Sequence, residues 1–112
     1  MIAVLLCVVA YVNDGDTLRC RDGTRIRLSG IDAPELPGHC RPGRACAPGD
    51  PIASKQALER LAFGKTLHCT PDGTSYDRVT AWCMAGRVDL SCAQVAGGYA
   101  LRWDRYWREQ RC

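Results

Sequence analysis

No apolar run in the sequence reaches the roughly 18 residues that a membrane-crossing helix needs, so no transmembrane helix is expected. The cysteines form no C-x2-C pair, and the two histidines, His39 and His68, are far apart. Structural zinc sites usually require such short ligand spacings, so zinc is not expected either. Neither histidine belongs to a recognisable catalytic pattern, and neither is given a role. Lysine is scarce, with two residues against thirteen arginines. Positive charge is therefore carried almost wholly by a planar fork that pairs bidentately with phosphate or carboxylate. Biased codon usage is the bland explanation, and composition alone does not reject it. There is no internal repeat and no low-complexity stretch, which excludes solenoids and long disordered linkers. The apolar start Met1-Ile2-Ala3-Val4-Leu5-Leu6 resembles the core of a signal peptide. It lacks a basic flank and an A-x-A-like cleavage site.

What is present is a chain of 112 residues, 46% hydrophobic, with a net charge of +3 and eight cysteines. That length reads as one domain, 1–112, able to bury a real core. The charge is too small to establish nucleic-acid binding by itself. An even cysteine count points to an oxidised, secreted or periplasmic protein, and export is argued from the cysteines rather than from a leader.

Residues 7–12 are apolar and β-branched, as a strand requires. Asp14-Gly15-Asp16-Thr17 turns the chain, Leu18 to Cys20 returns, and Asp22-Gly23 is a strong hairpin signal. Arg25-Ile26-Arg27-Leu28 then alternates polar and apolar, completing a three-stranded meander. Residues 33–51 hold five of the six prolines and read as one long loop containing Cys40 and Cys46. Asp50-Pro51 starts a helix that Gly64 ends. Residues 66–69 form a strand, Pro71-Asp72-Gly73 is read as a turn, and Arg78 to Met84 forms the next strand. Asp89 caps a second helix, Leu90 to Ala96, stopped by Gly97-Gly98. The fold class is mainly β with two helices (α+β). Five short strands with a helix after the third match a small closed barrel of the OB type.

Two clusters carry chemistry. The meander brings Asp16, in the first turn, toward Asp32, which follows the third strand. Two carboxylates with a backbone carbonyl make part of a site for a hard cation, with water or phosphate completing it. Glu35, three residues beyond Asp32, is the sole glutamate before the first helix. Each piece has a plain alternative: Asp-Gly-Asp as ordinary turn chemistry, Asp32 as a surface turn, the arginines as solvated strand faces.

Taken together, Asp14-Gly15-Asp16-Thr17, Arg27-Leu28, Ile31-Asp32-Ala33-Pro34-Glu35, Tyr76-Asp77-Arg78, Asp89-Leu90 and Val95-Ala96-Gly97-Gly98-Tyr99-Ala100 resemble the staphylococcal nuclease (thermonuclease) family. The likeness runs over roughly residues 8–106. It implies an OB-fold barrel and a Ca2+-dependent phosphodiesterase, an endonuclease that hydrolyses DNA and RNA and leaves 3′-phosphates. By that resemblance Asp16, Asp32 and the carbonyl of Ala33 bind Ca2+, though the family usually has Thr at that last position. Arg27 and Arg78 clamp phosphate, and Glu35 activates or orients the attacking water. Tyr76 and Tyr106 fall at or near positions lining the nucleotide pocket, with core or rim packing as the alternative. The partners implied are DNA and RNA as substrates of a monomer, with no membrane and no obligate protein partner.

Three departures stand out. Asp77 replaces the usual Gly and is expected to compete with substrate phosphate for Arg78. The family's third, C-terminal helix is missing, since the chain stops at Cys112. The segment from Tyr99 to Cys112 instead interleaves Tyr99, Trp103, Tyr106 and Trp107 with Arg102, Arg105, Arg108 and Arg111, as an aromatic anchor or a nucleic-acid edge. The cysteines suggest a nested disulfide scheme, Cys7 with Cys20, Cys40 with Cys46, Cys69 with Cys83 and Cys92 with Cys112, the last replacing the helix as support. Two other functions compete: a catalytically silent OB-fold module that binds nucleic acid or peptide, and a disulfide-stapled structural or inhibitor domain.

Overall fold

The computed structural model describes residues 3–40, 42–43, 45–107 and 112. Met1, Ile2, Arg108 and Arg111, singled out above, lie outside them. Strand β1 (Leu5–Asp14) opens the chain, followed by β2 (Thr17–Cys20), β3 (Arg25–Leu28) and the short β4 (Ile31–Asp32). Helix α1 (Pro51–Ala62) leads into β5 (Thr66–Ser75), β6 (Arg78–Ala85) and β7 (Val88–Asp89), then helix α2 (Leu90–Ala96) and β8 (Leu101–Arg102).

The main sheet runs β3-β2-β1-β5-β6-β7, and β3 also pairs in parallel with β6 through Ile26↔Val79 and Leu28↔Ala81. That contact closes five strands into a barrel of the OB-fold type, so no long edge is left on them. Inward-facing Val9, Val12, Leu18, Ile26, Leu28, Leu67 and Ala81 fill it, and Leu58 and Leu90 from the two helices complete the core. Strand β1 starts at Leu5, inside the leader-like stretch, because Leu5 and Leu6 pair with Cys69 and His68.

Both helices start as their sequences dictate. Asp50 accepts from the N–H groups of Ile52 and Ala53 at 3.0 and 3.1 Å, with Pro51 in the first turn. Asp89 accepts from the Cys92 N–H at 3.1 Å. Each bond satisfies a donor that the helix itself leaves unpaired.

Pro71-Asp72-Gly73 does not turn the chain. Strand β5 runs on to Ser75, with an irregularity between Pro71 and Gly73, and the hairpin turns at Tyr76-Asp77. Proline lacks the N–H that a regular ladder needs and is tolerated at such a bulge. The Asp72 carboxylate accepts from Ser29 Oγ (2.9 Å), Thr80 Oγ1 (2.7 Å) and Trp82 Nε1 (3.1 Å), so its bonds run across the barrel wall rather than within a turn.

The four disulfides join Cys7 to Cys20, Cys40 to Cys46, Cys69 to Cys83 and Cys92 to Cys112. The first staples β1 to β2 and the third β5 to β6, where Cys69 and Cys83 face each other directly in register. The last carries Cys112 back to α2. Four disulfides are compatible with an oxidising compartment. No helix among the described residues is long and apolar enough to cross a membrane.

Residues 100–107 are held by strand pairing and by indole packing. Strand β8 pairs with β4 through Ile31↔Arg102 and Asp32↔Leu101. The Trp103 N–H donates to the Gly30 carbonyl at 2.7 Å, and Trp107 packs edge-on to Trp82 at 5.8 Å between centroids. The anchor role expected of this segment therefore falls to Trp107.

Candidate active site

The acidic turn between β1 and β2 is fixed from below. Gln94 on α2 is fully buried, and its Nε2 donates to the Gly15 carbonyl (2.9 Å) and the Ser54 carbonyl (3.1 Å). Ser54 Oγ in turn donates to the Tyr99 carbonyl at 2.7 Å. A Cβ on Gly15 would collide with the Ser54 side chain and come within 2.9 Å of Ala33 Cβ. The turn between the two acids thus packs directly on α1 and on the β4 loop, which is why a residue without a side chain is needed there.

Asp16 is buried, and every charged contact it makes is to the site. Its Oδ2 accepts from the Ala33 N–H at 3.0 Å, and its Oδ1 accepts from Thr17 Oγ1 at 2.9 Å. Arg27 Nη2 lies 3.3 Å from Asp16 Oδ2 and 3.6 Å from Asp32 Oδ1. Arg27 Nη1 donates to the carbonyls of Ile31 (2.9 Å) and Leu28 (3.2 Å), and the Trp103 ring covers the guanidinium at 5.3 Å. Arg27 is only 8% exposed, so one desolvated cation is shared between two carboxylates. Such a charge is tolerated only when paired and hydrogen-bonded as this one is.

Asp14 completes the negative cluster. It accepts from the Asp16 N–H at 3.0 Å. Burial, with the Asp16 charge beside it, pushes its carboxyl up to about 7.

Arg78, at the start of β6, reaches Thr17 Oγ1 at 3.4 Å, Ser75 Oγ at 3.2 Å and the Ser75 carbonyl at 3.4 Å. These bonds are long, so a phosphate oxygen would be a better partner. Thr17 links Arg78 to Asp16. Asp77, expected beside Arg78, pairs instead with Arg25 Nη1 at 2.8 Å. The two-residue turn points its carboxylate across to β3.

One cavity of about 610 Å3 is lined by Asp14, Asp16, Thr17, Arg27, Glu35 and Arg78, together with Tyr76, Asp77 and His39. A second, about 510 Å3, is lined by Asp72, Thr80, Tyr106 and Trp107. Arg27, Ser75 and Trp103 belong to both and form the wall between them. Tyr76 therefore stands in the first cavity and Tyr106 in the second. Asp32 and Ala33 line neither. They reach the first through Arg27 and through the Asp16 carboxylate. Tyr76 is 75% exposed with φ 58, a left-handed backbone uncommon for a large side chain.

The fit of a hard cation rests on donor chemistry. Among the described residues no group of three His, Cys, Asp or Glu side chains could hold a metal ion. Two carboxylates already converge on one positive nitrogen, and all the oxygens concerned are hard. Asp16 and Asp32 are the two that meet there, and hard oxygen donors of that kind are what a divalent-ion site draws on, with water or phosphate oxygens in its remaining positions.

Sequence reasoning passed over Thr17 and Trp103 as site residues, and it left His39 without a place. Thr17 was visible in the Asp-Gly-Asp-Thr segment. For Trp103 the only sequence signal was the aromatic and arginine interleaving, and its approach to Arg27 depends on the β4–β8 pairing. No protein-family model matches the chain, and no curated protein matches it.

Proposed function

We propose that this chain is a Ca2+-dependent endonuclease resembling the staphylococcal nuclease family. In this reading it is an exported monomer that hydrolyses phosphodiester bonds of DNA and RNA and leaves 3′-phosphates. The observation that carries this reading is the convergence of Glu35, Arg78, Arg27 and Asp16 on one cavity. The four residues come from two strands, a turn and a loop, and a structural or inhibitor domain has no use for their meeting. Four disulfides support export.

Each residue then has a task. Arg78 donates to a non-bridging oxygen of the scissile phosphate, exchanging its long bonds to Ser75 and Thr17 for charge-assisted ones. Arg27, on the neighbouring strand β3, presents its charge to the same phosphate. Glu35 accepts a proton from the attacking water at its carboxylate. The water oxygen bonds to phosphorus, the bond to the 5′-oxygen breaks, and that oxygen takes up a proton from solvent. Negative charge grows on the equatorial oxygens, where two guanidinium groups stabilise it more than they stabilise the bound substrate. A divalent cation held by Asp16, Asp32 and the Ala33 carbonyl would supply Lewis-acid polarisation of a phosphoryl oxygen. Tyr76 and Tyr106 offer ring faces on which bases stack without sequence preference.

Plasmid DNA incubated with protein and Ca2+, with EDTA added, or with Glu35→Gln tests this. The expected result is nicking and linearisation by the wild type only, with Ca2+ present and 3′-phosphate ends. Binding of DNA without Ca2+-dependent cutting would instead identify a silent module.

A further inference from the structure

The outer face of the barrel carries a second row of residues beside the site. Thr17 pairs with Arg27, and Asp14 with Thr17, so these three form the row that faces the cleft. The next row on the same face lies two residues along β2 and β3, and three along β1, whose register shifts between Val12 and Asp14. Tyr11 on β1 pairs with Arg19 on β2, and Arg19 pairs with Arg25 on β3. The rows are about 7 Å apart, two residues at the rise of a strand. All three residues of the second row are exposed.

The row is chemically unlike a solvated strand face. Tyr11 is a large aromatic, 47% exposed, with the Arg19 guanidinium 5.8 Å and the Lys55 ammonium 5.5 Å from its ring centre. Lys55 is one of only two lysines in the chain, and α1 delivers it to this spot. Arg25 already belongs to the cavity lining and is held there by Asp77. Arg19 and Lys55 have no acidic partner among the described residues. The row therefore runs from the cleft at Arg25, through Arg19, to Tyr11 and Lys55. The row adjoins the first cavity and not the Tyr106 cavity, since Arg25 lines the first but not the second.

We infer that Tyr11, Arg19 and Lys55 form an exosite for single-stranded nucleic acid, holding phosphates of the strand that continues out of the cleft. The inference rests on the nuclease reading for the cleft, but the exosite is read by binding alone. Two free cations separated by one ring, one strand-row from a phosphate-binding arginine, suit a flexible polyanion. Attraction there is sequence-independent and strongly salt-dependent. Substrates longer than the cleft would gain affinity, and very short ones would not.

The test compares wild type with R19E/K55E, a change confined to surface charges that leaves the site residues in place. Fluorescence anisotropy in EDTA measures binding of a 3-mer and a 15-mer of thymidylate over a range of NaCl. For the 15-mer, the variant should bind about tenfold or more weakly, and the slope of log K against log salt should become shallower by about 1.4, two contacts at 0.7 each. Binding of the 3-mer should be unchanged. In Ca2+, cleavage of the 15-mer should show raised KM with unchanged kcat. Equal losses on both lengths, or an unchanged 15-mer slope, would overturn the exosite. Absence of Ca2+-dependent cleavage in the wild type would overturn the nuclease reading while leaving the binding comparison intact.

Discussion

Replacing Arg27 by methionine separates the structural work of this arginine from the catalytic work proposed for it. Its guanidinium is the only cation within ion-pairing reach of Asp16 among the described residues, and it also neutralises Asp32. Removing one partner of a buried pair typically costs about 3–5 kcal/mol, because the remaining charge is left uncompensated. Asp16 would keep its bonds from the Ala33 N–H and the Thr17 hydroxyl, and Asp32 is a quarter exposed. These features place the loss near the lower end, about 3 kcal/mol, including the contact with the Trp103 ring. The same removal deletes the positive charge that a bound cation must share the carboxylates with. Arg27→Met should therefore be destabilised in EDTA yet bind Ca2+ more tightly than wild type. A tenfold gain in affinity would return about 1.4 kcal/mol at saturating Ca2+. Urea denaturation with EDTA and with excess Ca2+, together with calorimetric titration of Ca2+, reads both effects. A loss below about 1 kcal/mol in EDTA would show that Asp16 does not depend on Arg27. Weaker Ca2+ binding by the variant would refute the shared-carboxylate geometry. On the proposed function, in which Arg27 binds the scissile phosphate, nuclease activity should fall in either case.

Asp14 gives a pH signature: its carboxyl rises from 3.8 to about 7 on folding, so the folded chain holds a proton that the unfolded chain has released. Its contribution is fully present below about pH 4 and is lost as pH rises through 7, so stability in EDTA should fall between pH 5 and pH 8. Asp14→Asn should show a smaller fall, and identical pH profiles for the two proteins would sink the assignment. Tyr76→Gly should stabilise the fold by about 0.5–1 kcal/mol by relieving the left-handed backbone of an exposed residue, while KM for DNA rises several-fold through loss of the ring. A lowered unfolding midpoint would show that the ring packs rather than waits for a base. Gly30→Ala should cost about 2–4 kcal/mol, because Gly30 has φ 78 and an added Cβ would lie 2.5 Å from Trp82 and 3.2 Å from Trp107. A loss under about 1 kcal/mol in urea denaturation would mean those indoles move aside easily.

Much of the architecture was legible because local chemistry decided it. Asp50-Pro51 and Asp89 cap helices wherever they stand, and Asp22-Gly23 bends a hairpin on its own account. Alternation in Arg25-Ile26-Arg27-Leu28 needs only one buried face. The disulfide pairs were legible for the same reason: three of them close short spans between neighbouring strands or within one loop. Pro71-Asp72-Gly73 misled because its turn chemistry is real but was outweighed. Asp72 finds three donors, Thr80 and Trp82 on the paired strand β6 and Ser29 just beyond β3, and strand pairing rather than the local turn brings them to it.

The sequence by itself determined which residue types were available for phosphate chemistry, and in what order along the chain. Only the tertiary structure decided that Arg27 would be shared between Asp16 and Asp32, that Asp77 would turn to Arg25, and that Tyr106 would stand in a cavity apart from Tyr76. The same holds for Trp103, which lies over Arg27 because β8 pairs with β4, and for the row from Arg25 to Tyr11, which exists because three strands fall in register. Periodicity reports which face of an element is apolar. It carries no information on which distant side chain will lie opposite a charge, because that is settled by barrel closure and by the desolvation of each ion once closed.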